Sequence, residues 1–99
     1  DSRLYRLLNH ALDTSEVNFR IRYGFHHRYD SEFPDDYADK AVDAIPKPSS
    51  LETLEQLHNH ILYCADYLEI KLAARIVLNA PARYKQKSTP HVHIELSNV

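Results

Sequence analysis

HILYCADYLEIK, from His60 to Lys71, contains two rhythms that do not belong to one element. Leu51, Leu54, Leu57, Ile61, Ala65 and Leu68 recur at steps of three and four. That is the period of one buried helix face sustained over about five turns. From Leu68 the pattern changes, and Leu68-Glu69-Ile70-Lys71-Leu72 alternates. The simplest reading is a break between two helices near Leu68–Ile70. The second would run from Ile70 to Leu78, with Leu72, Ala73, Ile76 and Val77 inward, and stop at Pro81. Beside the apolar face lies a second stripe of Asn59, Tyr63, Asp66 and Tyr67. Tyrosines there fit either the rim of a core or a partner-facing surface, because each has a large apolar body and a polar tip.

Working outward, Ser49 and Glu52 have the spacing of a capping box, and Pro46-Lys47-Pro48 ends whatever precedes it. Residues 35–45, with Tyr37, Ala38, Ala41 and Ile45, suggest a short helix after a polar loop over Asp30–Asp36. Val17, Phe19, Ile21, Tyr23 and Phe25 alternate as in a half-buried strand, although Val17 and Ile21 would also share a helix face. Ser2–Leu12 places Leu4, Leu7, Leu8 and Leu12 at helical spacing. His91–Ser97 alternates again, with Val92, Ile94 and Leu96 against His91, His93, Glu95 and Ser97.

The totals fit one soluble globular domain over residues 1–99. A net charge of −2 gives no global attraction to nucleic acid or to a membrane surface. A single cysteine, Cys64, excludes an internal disulfide and suits a reducing cytoplasmic or nuclear compartment. A single glycine, Gly24, argues against a turn-rich all-β fold and against a phosphate-cradling loop. Charge is uneven: 30–43 is acidic and 71–87 is basic. Runs of this kind are most often solvated faces.

Seven histidines invite a metal reading. His91, His93 and Glu95 would line one face of a strand, and all three residue types bind zinc. Neither paired cysteines nor a helical His-Glu-x-x-His pattern accompanies them, so an exposed polar face is the plainer expectation. Cys64 shares a helix face with His60, but a lone cysteine between Tyr63 and Ala65 more often packs as a small apolar residue. Arg20 and Arg22, followed by His26, His27 and Arg28, hint at a base-stacking basic strand, which the neighbouring acidic run opposes.

ILYCADYLEIK also resembles the signature of the BTB/POZ superfamily, in which a helix ends in Ala-(Asn/Asp)-(Phe/Tyr)-Leu-(Asp/Glu)-Ile. Within it the chain is most similar to the small adaptor subunit of SCF (Skp–cullin–F-box) ubiquitin ligases. His26-His27, the acidic loop reaching Ala44-Ile45-Pro46, and KQKSTPHVHIEL follow in the family's order. The resemblance implies a mainly α fold, an α+β BTB/POZ-like domain lacking its N-terminal strands, with helices packed around a long helix at 50–68. It makes Val17–Phe25 and His91–Leu96 helical, against their alternation. It further implies a non-enzymatic adaptor, without metal or cofactor, that joins an F-box protein to a cullin. Tyr63, Asp66 and Tyr67 would face the cullin, and Leu72, Ile76, Val77, Tyr84 and Pro90 the F-box, within a partner-binding segment at 71–99. The alternatives are another BTB/POZ interaction module, elongin C-like or oligomerising, and a histidine-rich metal- or RNA-binding domain.

Overall fold

The computed structural model describes residues 2–23, 41–78 and 89–97. Their order is α1 (Ser2–Thr14), β1 (Phe19–Tyr23), β2 (Ala41–Pro46), α2 (Leu51–Tyr67), β3 (Leu72–Val77) and β4 (His91–Leu96). The four strands form one antiparallel sheet in the order β1-β2-β4-β3. Two αββ units therefore follow one another, and the second strand of each meets the other at the centre of the sheet. The sequence has no repeat to announce this symmetry.

The expectation of a mainly α, BTB/POZ-like fold is overturned: the domain is α+β, with a four-stranded sheet as its centre. The segment expected as a second helix is strand β3. Leu72, Ala74 and Ile76 pack toward the core, while Ala73 and Arg75 are exposed. That period of two replaces the helical inward set Leu72, Ala73, Ile76 and Val77. Of the expected 35–45 helix, residues 35–40 lie outside the described residues and 41–45 belong to strand β2. At Phe19–Tyr23 and His91–Leu96 the alternation read from the residues holds, and the helices implied by the resemblance do not form.

One face of the sheet carries the apolar alternates, and both helices cover it. Leu4, Leu7, Leu8 and Ala11 of α1 and Leu54, Leu57, Ile61, Cys64 and Ala65 of α2 join Val42, Ala44, Val92, Ile94 and Leu96 in one core. Two residues of the expected faces are displaced. Leu12 and Leu51, at the helix ends, are exposed, and Ala11 and Cys64 take the inward positions instead.

The quoted stretch resolves as a helix stop. Leu68 caps α2, the Glu69 amide donates to Asp66 O and the Ile70 amide to Ala65 O. These two bonds are the Schellman pattern, with buried Ile70 completing it beside Ala65. Glu69 occupies the left-handed position at φ 57°, where glycine is usual. At the other end the cap is Ser50, not Ser49. Ser50 Oγ accepts from the Thr53 amide, and Thr53 Oγ1 accepts from the Ser50 amide. Ser49 instead donates its hydroxyl to Pro90 O, tying the start of α2 to the start of β4.

Three substitutions test this account by chemical denaturation. Leu57→Ala, at a fully buried position, is expected to cost about 2–5 kcal/mol, and Leu51→Ala less than about 0.5 kcal/mol. Glu69→Gly is expected to stabilise by about 0.5–1 kcal/mol through relief at positive φ. A destabilised Glu69→Gly protein would contradict the helix stop described.

Candidate metal centre

The second face of the sheet carries its polar residues, among Ala41, Ile45, Ala73 and Val77, and its composition follows from register. Arg22 on β1 pairs with Asp43 on β2, Asp43 with His93 on β4, and His93 with Arg75 on β3. Directly paired residues share a face, so these four side chains form one row across all four strands. His91 and Glu95 lie on the same face of β4, one step either side of His93 along the period of two.

Asp43, His91 and His93 are buried, at 1%, 2% and 1% exposure. The exposed polar face expected for these histidines is in fact the buried centre of the sheet. Asp43, unremarked as a ligand in the sequence, is the acid that the histidines meet. His93 Nδ1 lies 2.9 Å and His91 Nε2 3.4 Å from Asp43 Oδ1. The other carboxylate oxygen, Oδ2, accepts from Arg22 Nη2 at 3.0 Å.

The outer nitrogens decide what the inner ones present. His91 Nδ1 lies 2.8 Å from Thr89 O, a carbonyl that can only accept, so the ring proton sits at Nδ1. His91 Nε2 then offers a lone pair, and this buried atom has no hydrogen-bond partner. His93 Nε2 lies 2.7 Å from Glu95 Oε1, again an acceptor. Asp43 Oδ1 can likewise only accept, so without metal His93 Nδ1 donates to it at 2.9 Å, and an ion bound there would displace that proton. Three potential ligand atoms, Asp43 Oδ1, His91 Nε2 and His93 Nδ1, thus converge, all within 4.8 Å of one another. Atoms bound about 2.1 Å from one ion stand about 3.0 Å apart at right angles and about 3.4 Å apart at tetrahedral angles. The separations of Asp43 Oδ1 from His93 Nδ1 and His91 Nε2, 2.9 and 3.4 Å, fall within that range. The backbone carbonyl and carboxylate behind the two rings are the partners that metal-bound histidines use to fix their tautomers.

Electrostatics follow the same layout. Burial alone would raise the Asp43 pKa, but the His93 hydrogen bond, the charge of His91 and the Arg22 hydrogen bond together hold it well below the ordinary carboxylate range. Burial pushes His91 down, against an opposing pull from Asp43 and Thr89. Beside the centre a pocket of about 320 Å³ is lined, among the described residues, by Ala73, Ala74, Arg75, His93 and Glu95.

The residues expected to meet protein partners lie elsewhere. Tyr63, Asp66 and Tyr67 are exposed on α2. Leu72, Ile76 and Val77 are half-buried on β3, with Leu72 and Ile76 turned to the core. Pro90 precedes β4 and accepts from Ser49. Tyr84, His26 and His27 lie outside the described residues. His58 and His60 diverge as their spacing requires: His58 Nε2 reaches Ala74 O, and His60 Nε2 reaches Thr14 Oγ1 and Cys64 Sγ. Cys64 is buried, and burial raises its thiol pKa, which suits packing and not nucleophilic attack.

Without metal, both perturbed groups make the protein acid-sensitive. His91 has a lowered folded pKa, so its contribution is present above the unfolded value near 6.5 and is lost as pH falls through and below it. Asp43 is likewise lowered, and its contribution is lost only below the ordinary carboxylate range near 4. Urea melts in chelator should therefore show stability falling in two stages between pH 7 and pH 3. His91→Gln should remove the upper stage and keep the lower. A wild-type profile flat from pH 7 to pH 5 would contradict the lowered His91.

No family model, curated protein or solved structure matches the chain, so the reading of function rests on these residues.

Proposed function

We propose that the chain is a metal-binding domain that holds one divalent transition-metal ion on Asp43 Oδ1, His91 Nε2 and His93 Nδ1. The observation that carries this reading is the buried His91 Nε2, a lone pair without a hydrogen-bond donor, aimed where two further ligand atoms converge. A purely structural Asp–His–His network would leave that atom unsatisfied, at a cost of about 1–3 kcal/mol. Two imidazoles and one carboxylate suit zinc, iron(II), cobalt or manganese better than calcium or magnesium, which prefer all-oxygen shells. Three protein ligands leave coordination open for water or substrate, the arrangement of Lewis-acid sites and not of closed structural ones. In such a site Arg22 holds Asp43 monodentate through Oδ2, and Glu95 orients His93.

A second reading keeps one supporting observation. Tyr63 and Tyr67 are each 66% exposed along one face of α2, as a protein-docking surface of an adaptor would need. The F-box side of that reading has less support, because Leu72 and Ile76 are engaged with the core. If a cullin uses this face, Tyr67→Ala should weaken its capture without altering metal content, and an unchanged interaction would remove the reading.

The metal reading is tested by calorimetric titration of Zn(II) and Co(II) into chelator-treated protein. One ion per chain is expected. His91→Ala and Asp43→Asn should each weaken binding by at least ~100-fold, and Glu95→Gln by about 10–100-fold, the usual effect of losing a ligand's supporting partner. His58→Ala should leave affinity unchanged. A folded wild-type chain that takes up neither ion, or a His58→Ala effect equal to that of His91→Ala, would overturn the proposal.

A further inference from the structure

The sheet ends in two edge strands, β1 and β3, and they differ in what they offer a further strand. β3 is six residues long and holds no proline. Beside its first residue the Ser97 amide donates to Lys71 O, so Lys71 and Ser97 form a bonded pair of the ladder to β4. Along an antiparallel strand the backbone groups of successive residues point to opposite sides. Leu72, Ala74 and Ile76 therefore aim their N–H and C=O groups away from β4, along the edge. His58 marks the same direction, since its Nε2 donates to Ala74 O at 2.9 Å. That carbonyl keeps a second lone pair. Among the described residues no other backbone group pairs with this edge. The core-side residues Leu72, Ala74 and Ile76 are only half-buried, whereas Val92, Ile94 and Leu96 on neighbouring β4 are 0–2% exposed. Leu62, one turn after His58 on the flank of α2 nearest the edge, is 40% exposed.

We infer that β3 is a dimerisation edge, on which a second copy of the chain lays its own β3 antiparallel about a two-fold axis at Ala74. Unpaired edge groups are a template for another strand, and charge is one of the devices that block such pairing. Charge blocks β1 against its own copy. Centred on Ile21, a two-fold pairing of β1 sets Arg20 against Arg22 of the second copy, and centred on either arginine it sets that residue against itself. β3 has a register free of this conflict. Centred on Ala73, Lys71 would meet Arg75 of the second copy, and centred on Arg75 the two Arg75 residues would meet. Centred on Ala74, Leu72 lies beside Ile76 of the second copy, and Arg75 lies beside small Ala73. Outward residues then face outward residues, and about six interchain hydrogen bonds form across the axis. The half-buried alternates of both copies cover one another, and the two Leu62 flanks approach above them. The interface is isologous and closed, because each copy uses the same edge.

The experiment combines sedimentation velocity from about 10 μM to about 1 mM with amide hydrogen exchange read by NMR at both ends of that range. A monomer–dimer equilibrium is expected. Exchange at Leu72, Ala74 and Ile76 should slow at least ~10-fold at the higher concentration, and exchange at Ile21 on the other edge should not. Ala73→Lys, at an exposed position, sets a like charge against Arg75 of the second copy twice over, and should weaken the dimer at least ~10-fold. If that variant fails to fold, Leu62→Lys decides, and an undiminished dimer in it overturns the proposal. A wild-type chain that stays monomeric throughout overturns it. So does a dimer whose formation leaves those three amides unchanged, because its surface lies elsewhere. Assembly beyond the dimer overturns the closed two-fold pairing in favour of an open, head-to-tail contact.

Discussion

The pairing of Asp43 with His93 across β2 and β4 is the constraint on which the rest depends. A side chain's face in a sheet alternates with every residue, so a slip of one position would send the whole polar row to the helix-covered side. The register is held from that side. Val42 and Ala44 on β2 and Val92, Ile94 and Leu96 on β4 are buried against α1 and α2. Burial of those residues is the larger energy, since each fully buried aliphatic contributes about 1.5–3 kcal/mol. The polar row inherits its alignment from the apolar one. Its own interactions fix the finer geometry: Arg22 on one oxygen of Asp43, and Thr89 and Glu95 behind the two imidazoles.

The parts of the fold legible in the sequence were those whose period was unambiguous. The long helix was readable because Leu54, Leu57, Ile61 and Ala65 repeat over several turns, and structure bounds it at Leu51–Tyr67. Alternation correctly marked Phe19–Tyr23 and His91–Leu96 as strands. Local resemblance around Ala65–Ile70 argued for helices in both places, but that stretch encodes only a helix stop, and a stop can precede either a helix or a strand. Leu72–Val77 went wrong for a different reason. Its residues Leu72, Ala73, Ile76 and Val77 form a helical stripe while Leu72, Ala74 and Ile76 form one face of a pleat, and only pairing with His91–Leu96 decides between them. Short apolar runs are ambiguous in this way because tertiary contacts outweigh intrinsic preference. The capping shift from Ser49 to Ser50 is smaller, since both serines precede a side chain three residues on that can complete the box.

The centre was half legible. His-x-His within an alternating segment places two imidazoles on one face of a strand, and that was visible. Their burial was not, because sequence alternation does not say whether the polar face meets water. Asp43 lay inside a run of acids that read as a solvated face, and nothing local distinguishes it from Asp36 or Asp39. Its partner lies fifty residues away, and only the strand order β1-β2-β4-β3 brings the two together. The signal that could have singled it out is its place as the lone acid in the otherwise apolar run Ala41-Val42-Asp43-Ala44-Ile45-Pro46.

The symmetry of the two αββ units gives a physical account of why the centre sits where it does. Equivalent strands adjoin at the middle of such a sheet, so the paired central positions are the most enclosed and the outer ones the most open. Asp43 and His93 take the enclosed positions, and Arg22 and Arg75 the open ones; the Arg22 side chain remains 24% exposed. Long guanidinium side chains tolerate that placement, keeping the charged end partly solvated while the stem packs. A buried carboxylate has no such freedom and must be neutralised by neighbours or by an ion. Arg22 neutralises one oxygen of Asp43, while nitrogens of two histidines lie 2.9 and 3.4 Å from the other. In a centre so arranged, the stability of the sheet and the occupancy of its polar face become linked quantities, because whatever binds Asp43 Oδ1 acts on the same strand pair that fixes the register.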